Sequence, residues 1–192
     1  MNELAMLLGR YERSTPSIRR RGRTWYPEAF RMLSGMAQET GHTTAQAVAV
    51  FAITSANTQL LANIRYTEKI LRGERFHGCY PVVQTPLVKG ALSTTKPQRF
   101  VTGPKCSAFY RAIMGDTSAL VLDRWAARAA GLNEGRGDIS GPARRVLEAA
   151  YRDAATLCGE TVRAFQAIVW IATRETTAKS TGVVPRLADI TR

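Results

Sequence analysis

An all-α fold is predicted by three observations. Apolar residues recur at three- and four-residue intervals along most of the chain, no segment alternates apolar and polar residues for the length of a strand, and Pro, Gly and Thr stand where helices would start and stop. At 192 residues the chain is long enough for one domain with a buried core and no disulfide or metal staple. Hydrophobic residues at 45% and charged residues at 22% exclude a chain that stays unfolded throughout.

The elements follow in order. Residues 1–24 are expected as a basic N-terminal arm: Arg10, Arg13, Arg19, Arg20, Arg21 and Arg23 face the single acid Glu12, and Pro16 and Gly22 interrupt any helix. Residues 25–175 are expected as one all-α domain. Its first helix starts with Pro27 in the first turn and runs to about Gln38, with Phe30, Leu33 and Ala37 on one face and Gly41 as its stop. Thr44 caps a strongly apolar helix to about Asn57, carrying Ala47, Val48, Phe51 and Ala52. A helix over 58–72 turns Leu60, Leu61, Ile64 and Ile70 inward and stops at Gly73. Residues 73–95 look like loop, broken by Gly78, Pro81, Pro86 and Gly90, with a short helix over Leu87–Leu92. Helices are then expected over Pro104–Met114, Arg124–Ala130, Pro142–Leu157 and Glu160–Thr173, and residues 176–192 form a polar tail with no assignment.

Composition narrows the function classes. Lys and Arg total 27 against 15 Asp and Glu, a net charge of +12, which favours an anionic partner, nucleic acid first. The longest weakly polar run, Thr44–Ala56, is too short to span a bilayer, so no membrane partner is expected. The start, Met1–Arg10, has Glu3 ahead of any positive charge and lacks the order of a secretory signal. Cys79, Cys106 and Cys158 form no C-x-x-C pair. They are expected to be reduced thiols in a cytoplasmic protein, too few and scattered for zinc or an iron–sulfur cluster. No cofactor is expected; the family resemblance given below would allow a monovalent cation at the turn described next.

The chemistry concentrates in Phe100-Val101-Thr102-Gly103-Pro104-Lys105 and, after a helix, Leu120-Val121-Leu122-Asp123-Arg124-Trp125. A helix ending near Arg99, a turn at Gly103 and a restart at Pro104 leave backbone N–H groups and a positive helix end outward, able to hold a phosphate without reading a base. Thr102, Gly103 and Pro104 are therefore candidate DNA contacts, with Arg19, Arg20, Arg21 and Arg23 of the arm. Lys105 sits on the first turn of the new helix, where the dipole opposes its charge, and is a candidate amine nucleophile or one more phosphate contact. Asp123, eighteen residues on, stands at an N-cap, where backbone N–H bonds keep a carboxylate ionised and fixed in direction. An N-cap Asp is ordinarily only a cap. Trp25 and Tyr26, following the arm, are candidates for stacking on a base, and Trp125 is another. Trp125 and Trp170 also lie on apolar helix faces, which favours the core. Asn57 divides between a helix C-cap and a base contact, and Arg124 joins the base-pocket candidates. His42 and His77 lie in loop-like segments and receive no role.

This stretch resembles the helix-hairpin-helix plus Gly/Pro-Asp motif of the endonuclease III-like DNA glycosylase superfamily, in which a Leu-Pro-Gly-Val-Gly-x-Lys hairpin, an apolar helix and Val-Asp-Thr-His follow one another. Gly103 matches the second hairpin glycine, Lys105 the lysine that forms a Schiff base in bifunctional members, and Asp123 the family's aspartate. Val101 replaces the first hairpin glycine and Phe100 the proline, and the iron–sulfur cysteines are absent. Gln46–Ile53 with the polar segment after it is similar to the family's early buried helix. Trp25-Tyr26, Ala56-Asn57, Asn63, the Gly103-Pro104-Lys105 turn and Gln166-Ala167-Ile168-Val169-Trp170 also resemble a phage-associated branch, the putrescinyl-thymine and glutamyl-thymine pyrophosphorylases.

The resemblance implies a helix-hairpin-helix glycosylase-like helical domain, acting as a monomer on DNA in the cytoplasm, or in the host cytoplasm if viral. Base excision would extrude a modified pyrimidine, with Asp123 stabilising the oxocarbenium-like transition state and Lys105 attacking the sugar C1′, which permits strand cleavage. In the transferase alternative Asp123 activates an amine or amino acid that displaces pyrophosphate from an activated 5-hydroxymethyluracil, and Lys105 or Arg124 holds the leaving group. The third alternative is a helix-hairpin-helix module that binds DNA and catalyses nothing.

Overall fold

The computed structural model describes residues 2–74, 85–132 and 141–176, with Val184 and Leu187. Regular structure among these residues is helical throughout, with no strand: α1 Glu3–Glu12, α2 Pro16–Thr40, α3 Thr44–Thr54, α4 Leu60–Leu71, α5 Thr85–Leu92, a 3-10 turn Pro97–Phe100, α6 Pro104–Ile113, α7 Arg124–Ala129, α8 Gly141–Leu157 and α9 Val162–Thr176. Most of the expected elements are present within a few residues of their predicted bounds. Gly78, Pro81, His77 and Cys79, and all of the tail except Thr176, Val184 and Leu187, lie outside the described residues.

The arm is the main correction. Residues 10–23, expected as a basic arm in which Pro16 and Gly22 interrupt any helix, are the end of α1 and the start of α2. Pro16 occupies the first position of α2, where a missing N–H costs nothing, and Gly22 sits inside the helix because the chain packs there too closely for a side chain. Pro27 consequently lies within α2 rather than at a helix start. An interior proline costs about 3 kcal/mol, and burial of Trp25, Tyr26 and Ala29 on either side offsets it. A second correction is small: α3 is capped by Thr43, not Thr44, because only Thr43 completes a capping box with Gln46.

The chain divides into two compact units, one of residues 1–28 and 115–192, the other of residues 29–114. The second is built on α3. Ala47 to Thr54 are all buried, which makes α3 apolar on every face and explains why it is surrounded by α4, α5, the 3-10 turn and α6. Gln46 donates from Nε2 to the carbonyls of Leu92 (2.8 Å) and Thr94 (3.2 Å), so the residue that closes the cap also holds the end of α5. Asn63 on α4 is buried and donates to the Phe51 carbonyl at 3.0 Å.

In the unit formed by the two ends of the chain, α1 packs on α7, α8 and α9, and α9 on α7 and α8. Leu7, Leu147, Tyr151, Phe165 and Ile168 are completely buried there. Tyr11 stacks on Phe165 with centroids 5.6 Å apart, and Tyr151 meets the same ring edge-on at 6.0 Å.

Candidate functional site

The hairpin belongs to the unit of residues 29–114. Gly103 has φ +79°, a conformation that glycine adopts without strain, and it is the N-cap of α6 with Pro104 in the first turn. Thr102, Gly103 and Pro104 are exposed, as the phosphate-contact expectation requires. The Val101 carbonyl accepts the Ser107 hydroxyl at 3.0 Å, so a cation at this turn would share that oxygen. Lys105 is half-buried, and its Nζ donates to the Ser55 carbonyl at 2.9 Å and to the Ser55 hydroxyl at 3.4 Å. Ser55 is the C-cap of α3, where carbonyls lack helical partners and a cation is favoured. Lys105 thus closes α3. Asn57, two residues beyond, is exposed with φ +56°, so the C-cap is Ser55 and Asn57 forms the left-handed turn leading to α4.

Asp123 belongs to the other unit. Its extended backbone (φ −119°, ψ −175°) makes it the N-cap of α7, and its Oδ1 accepts the Ala126 N–H at 2.8 Å. Leu120, Val121 and Leu122 are buried just before it, which fixes the approach of the chain. Two buried phenols feel its charge. Burial first, then the Asp123 carboxylate, raise Tyr26 and Tyr151 above the ordinary tyrosine range, while Arg163 opposes the shift at Tyr26 and Arg10 opposes it at Tyr151. The Tyr26 hydroxyl donates to Gln166 Oε1 (2.8 Å) and the Tyr151 hydroxyl to the Ala126 carbonyl (3.0 Å). Burial lowers the Arg174 guanidinium and Asp123 pulls it back up. A half-buried carboxylate, fixed by a helix end beside a cation and two neutral phenols, is suited to stabilising a developing positive charge or accepting a proton.

Several expected ligand contacts have other duties. Trp25 and Tyr26 are 7% and 3% exposed, in edge contact with each other at 4.9 Å, so they are core residues and not a stacking surface. Arg19 donates to the Ser14 hydroxyl (3.0 Å) and the Tyr11 carbonyl (3.0 Å), closing α1. Arg21 pairs with Glu175 at 2.7 Å, and Arg23 pairs with Glu160 at 2.7 Å. Arg20 is exposed and Arg124 is the exposed first residue of α7. Trp125 and Trp170, by contrast, are half-buried. The Arg128 guanidinium lies 4.2 Å from the Trp125 ring centre, and Arg174 lies 4.9 Å from Trp125 and 5.5 Å from Trp170. Arg128 and Arg174 were missed in the sequence, although Trp125/Arg128 at i,i+3 and Trp170/Arg174 at i,i+4 are helical neighbours.

Among the described residues no group of three or more His, Cys, Asp or Glu could hold a metal, and Cys106 and Cys158 are free. No described helix is long and apolar enough to cross a membrane. The fold and sites define an all-helical protein with a glycine-turn helix start in one unit and an N-capping carboxylate in the other. The chain belongs to the family described as Family of unknown function (DUF7178), whose model matches residues 4–177. No curated protein matches the chain. No solved structure matches it either.

Proposed function

We propose that the protein is a DNA base-acting enzyme with a helix-hairpin-helix glycosylase-like fold, which extrudes a pyrimidine and cleaves its N-glycosidic bond. The observation that carries this reading is Asp123: the carboxylate at the motif's expected position is fixed at a helix end, half-buried, beside Arg174 and two buried tyrosines. In this role it stabilises the positive charge that develops on the sugar as the base departs. The exposed Thr102-Gly103-Pro104 turn supplies a backbone phosphate contact. Lys105 must leave Ser55 to attack the sugar C1′.

The Lys105–Ser55 contact is also the observation that favours base hypermodification as a second reading. An ammonium held on a carbonyl suits a resident cation that faces a leaving pyrophosphate, and this chemistry does not ask Lys105 to attack. The incoming amine forms the new C–N bond, the C–O bond to pyrophosphate breaks, and Asp123 takes the proton.

The test is borohydride trapping and product analysis on DNA carrying modified pyrimidines. Excision predicts abasic sites, lost by on the order of a hundredfold or more in Asp123→Asn, a change that preserves the N-cap. A trapped adduct that disappears in Lys105→Ala identifies the lysine as nucleophile. If no abasic site or adduct forms on any base, but DNA bearing pyrophosphorylated hydroxymethyluracil gains the mass of an amine, the transferase reading replaces excision. If Asp123→Asn leaves every DNA activity unchanged, neither catalytic reading stands.

A further inference from the structure

α7 has six residues, and an isolated helix of that length is unstable in water, so its shape depends on what braces it. At its end the Arg10 guanidinium of α1 donates from Nε to the Ala129 carbonyl (2.7 Å) and from Nη2 to the Arg128 carbonyl (3.3 Å), 119 and 118 residues away in sequence. Carbonyls of a last turn lack helical partners, and the negative end of a helix favours a cation. Met6, one turn before Arg10 on α1, lies against Gly131 just past the same end, where an added Cβ would meet Met6 Cγ at 3.2 Å. At the middle of α7 the Ala126 carbonyl accepts the hydroxyl of the fully buried Tyr151 of α8 at 3.0 Å. The N–H of that same Ala126 is the group that holds the Asp123 carboxylate at 2.8 Å. Arg10 keeps this place against a cost: burial, and then the like charge of Arg13, lower its guanidinium from the ordinary value, with Tyr151 acting the other way.

We propose that Arg10 is a positioning residue for Asp123, acting through α7 with Tyr151 as the second brace. Asp123 caps one end of this short helix and Arg10 holds the carbonyls of the other, so fraying or rotation at the far end redirects the carboxylate. A carboxylate that stabilises developing charge has to stay aimed at one atom, and a misplacement of about 1 Å costs up to about a hundredfold in rate. Arg10 touches no reacting group on this proposal, and its effect passes through the α7 backbone. The proposal rests on the catalytic reading of Asp123 for the use made of that fixed direction. An ordinary helix cap would contribute to stability alone.

Three measurements on the full chain test it: amide hydrogen exchange at Ala126, single-turnover excision from DNA carrying a modified pyrimidine, and affinity for that DNA. Arg10→Met removes both donors. It is expected to speed exchange at Ala126 on the order of tenfold and to slow excision about ten- to a hundredfold, with DNA affinity unchanged. Arg10→Lys returns a cation and a donor to the same carbonyls and should recover part of both. Tyr151→Phe removes one hydroxyl and keeps the ring, so it should show a smaller loss of the same kind, and it carries the test if Arg10→Met does not fold. A lower melting temperature with excision and Ala126 exchange unchanged makes Arg10 an ordinary cap and overturns the proposal. Faster exchange at every core amide alike, rather than in α7, overturns it as well, because that is global destabilisation. Exchange is read without DNA. If the parent chain acts on no DNA while Arg10→Met still frees Ala126, the catalytic reading of Asp123 fails and the brace stands. Asp123→Asn, which keeps the cap, should lose excision with Ala126 still protected.

Discussion

Lys105 carries two demands at once, as the hairpin's candidate amine and as the group that closes α3 through Ser55 at 2.9 Å. A charge-assisted bond from a half-buried ammonium contributes about 1–2 kcal/mol, so Lys105→Met should lower unfolding free energy by that amount in urea titration. A variant as stable as the parent would show that the contact contributes nothing. The position of Lys105 on the first turn of α6 was legible from Gly103 and Pro104, but its partner lies fifty residues away in sequence and no local pattern announces it. Asp123 was legible for the opposite reason, because N-capping is decided by neighbours three residues on. Trp25 and Tyr26 were misassigned because their burial depends on α9, where Trp170 and Gln166 meet them. Burial also sets an alkaline limit. Tyr26 and Tyr151 are raised in the folded state, so their contribution is complete below the ordinary value of about 10 and is lost as pH rises above it, when the unfolded chain ionises and the folded chain does not. Melting temperature is expected to fall above pH 10 and to fall less steeply in Tyr26→Phe, which cannot ionise at this position.

At the scale of elements, α2 offers a matched pair of glycines. A Cβ at Gly22 would collide with Ile168 of α9, including its Cα at 2.7 Å, whereas a Cβ at Gly35 meets nothing within 4 Å. Gly35→Ala should stabilise the chain by about 0.5–1 kcal/mol through helix propensity alone. Gly22→Ala should destabilise it by about 1–3 kcal/mol, because backbone on α9 cannot move aside as a side chain could. Thermal melts of the two variants shifting in the same direction would contradict the close α2–α9 packing. The helix periodicity of α3, α4, α6, α8 and α9 is written locally in the sequence and was read correctly to within a few residues. The N-terminal basic stretch was not, since Pro16, Gly22 and Pro27 are breakers in isolation. A helix start, a close packing site and a tolerated interior position are distinguished only by what surrounds them.

Across the whole molecule, the net charge of +12 is distributed between internal ties and exposed groups. Arg21 and Arg23 are committed to Glu175 and Glu160, while Arg20 is exposed. On the DNA reading, Arg20→Ala should reduce the slope of log affinity against log salt by about one, and Arg21→Ala should instead lower stability. An unchanged slope removes Arg20 from the binding surface. The C-terminal end is tied into the same unit: Arg21 donates to the Val184 carbonyl, the Val184 N–H donates to Glu175 at 3.0 Å, and Val184 and Leu187 are buried. A chain ended after residue 183 should therefore melt roughly 5–10 °C lower, from the loss of two buried apolar side chains.

The discontinuity of that unit also sets a timetable for the nascent chain. α1 emerges from the ribosome before residues 29–114, yet α7, α8 and α9, which cover it, are made after them. The inserted unit can complete its core during synthesis, while Leu7 and Tyr11 wait without their final partners, the stage at which a chaperone has an apolar surface to hold. Ribosomes stalled once Met114 has cleared the exit tunnel should carry a protease-resistant 29–114 segment behind a protease-sensitive α1.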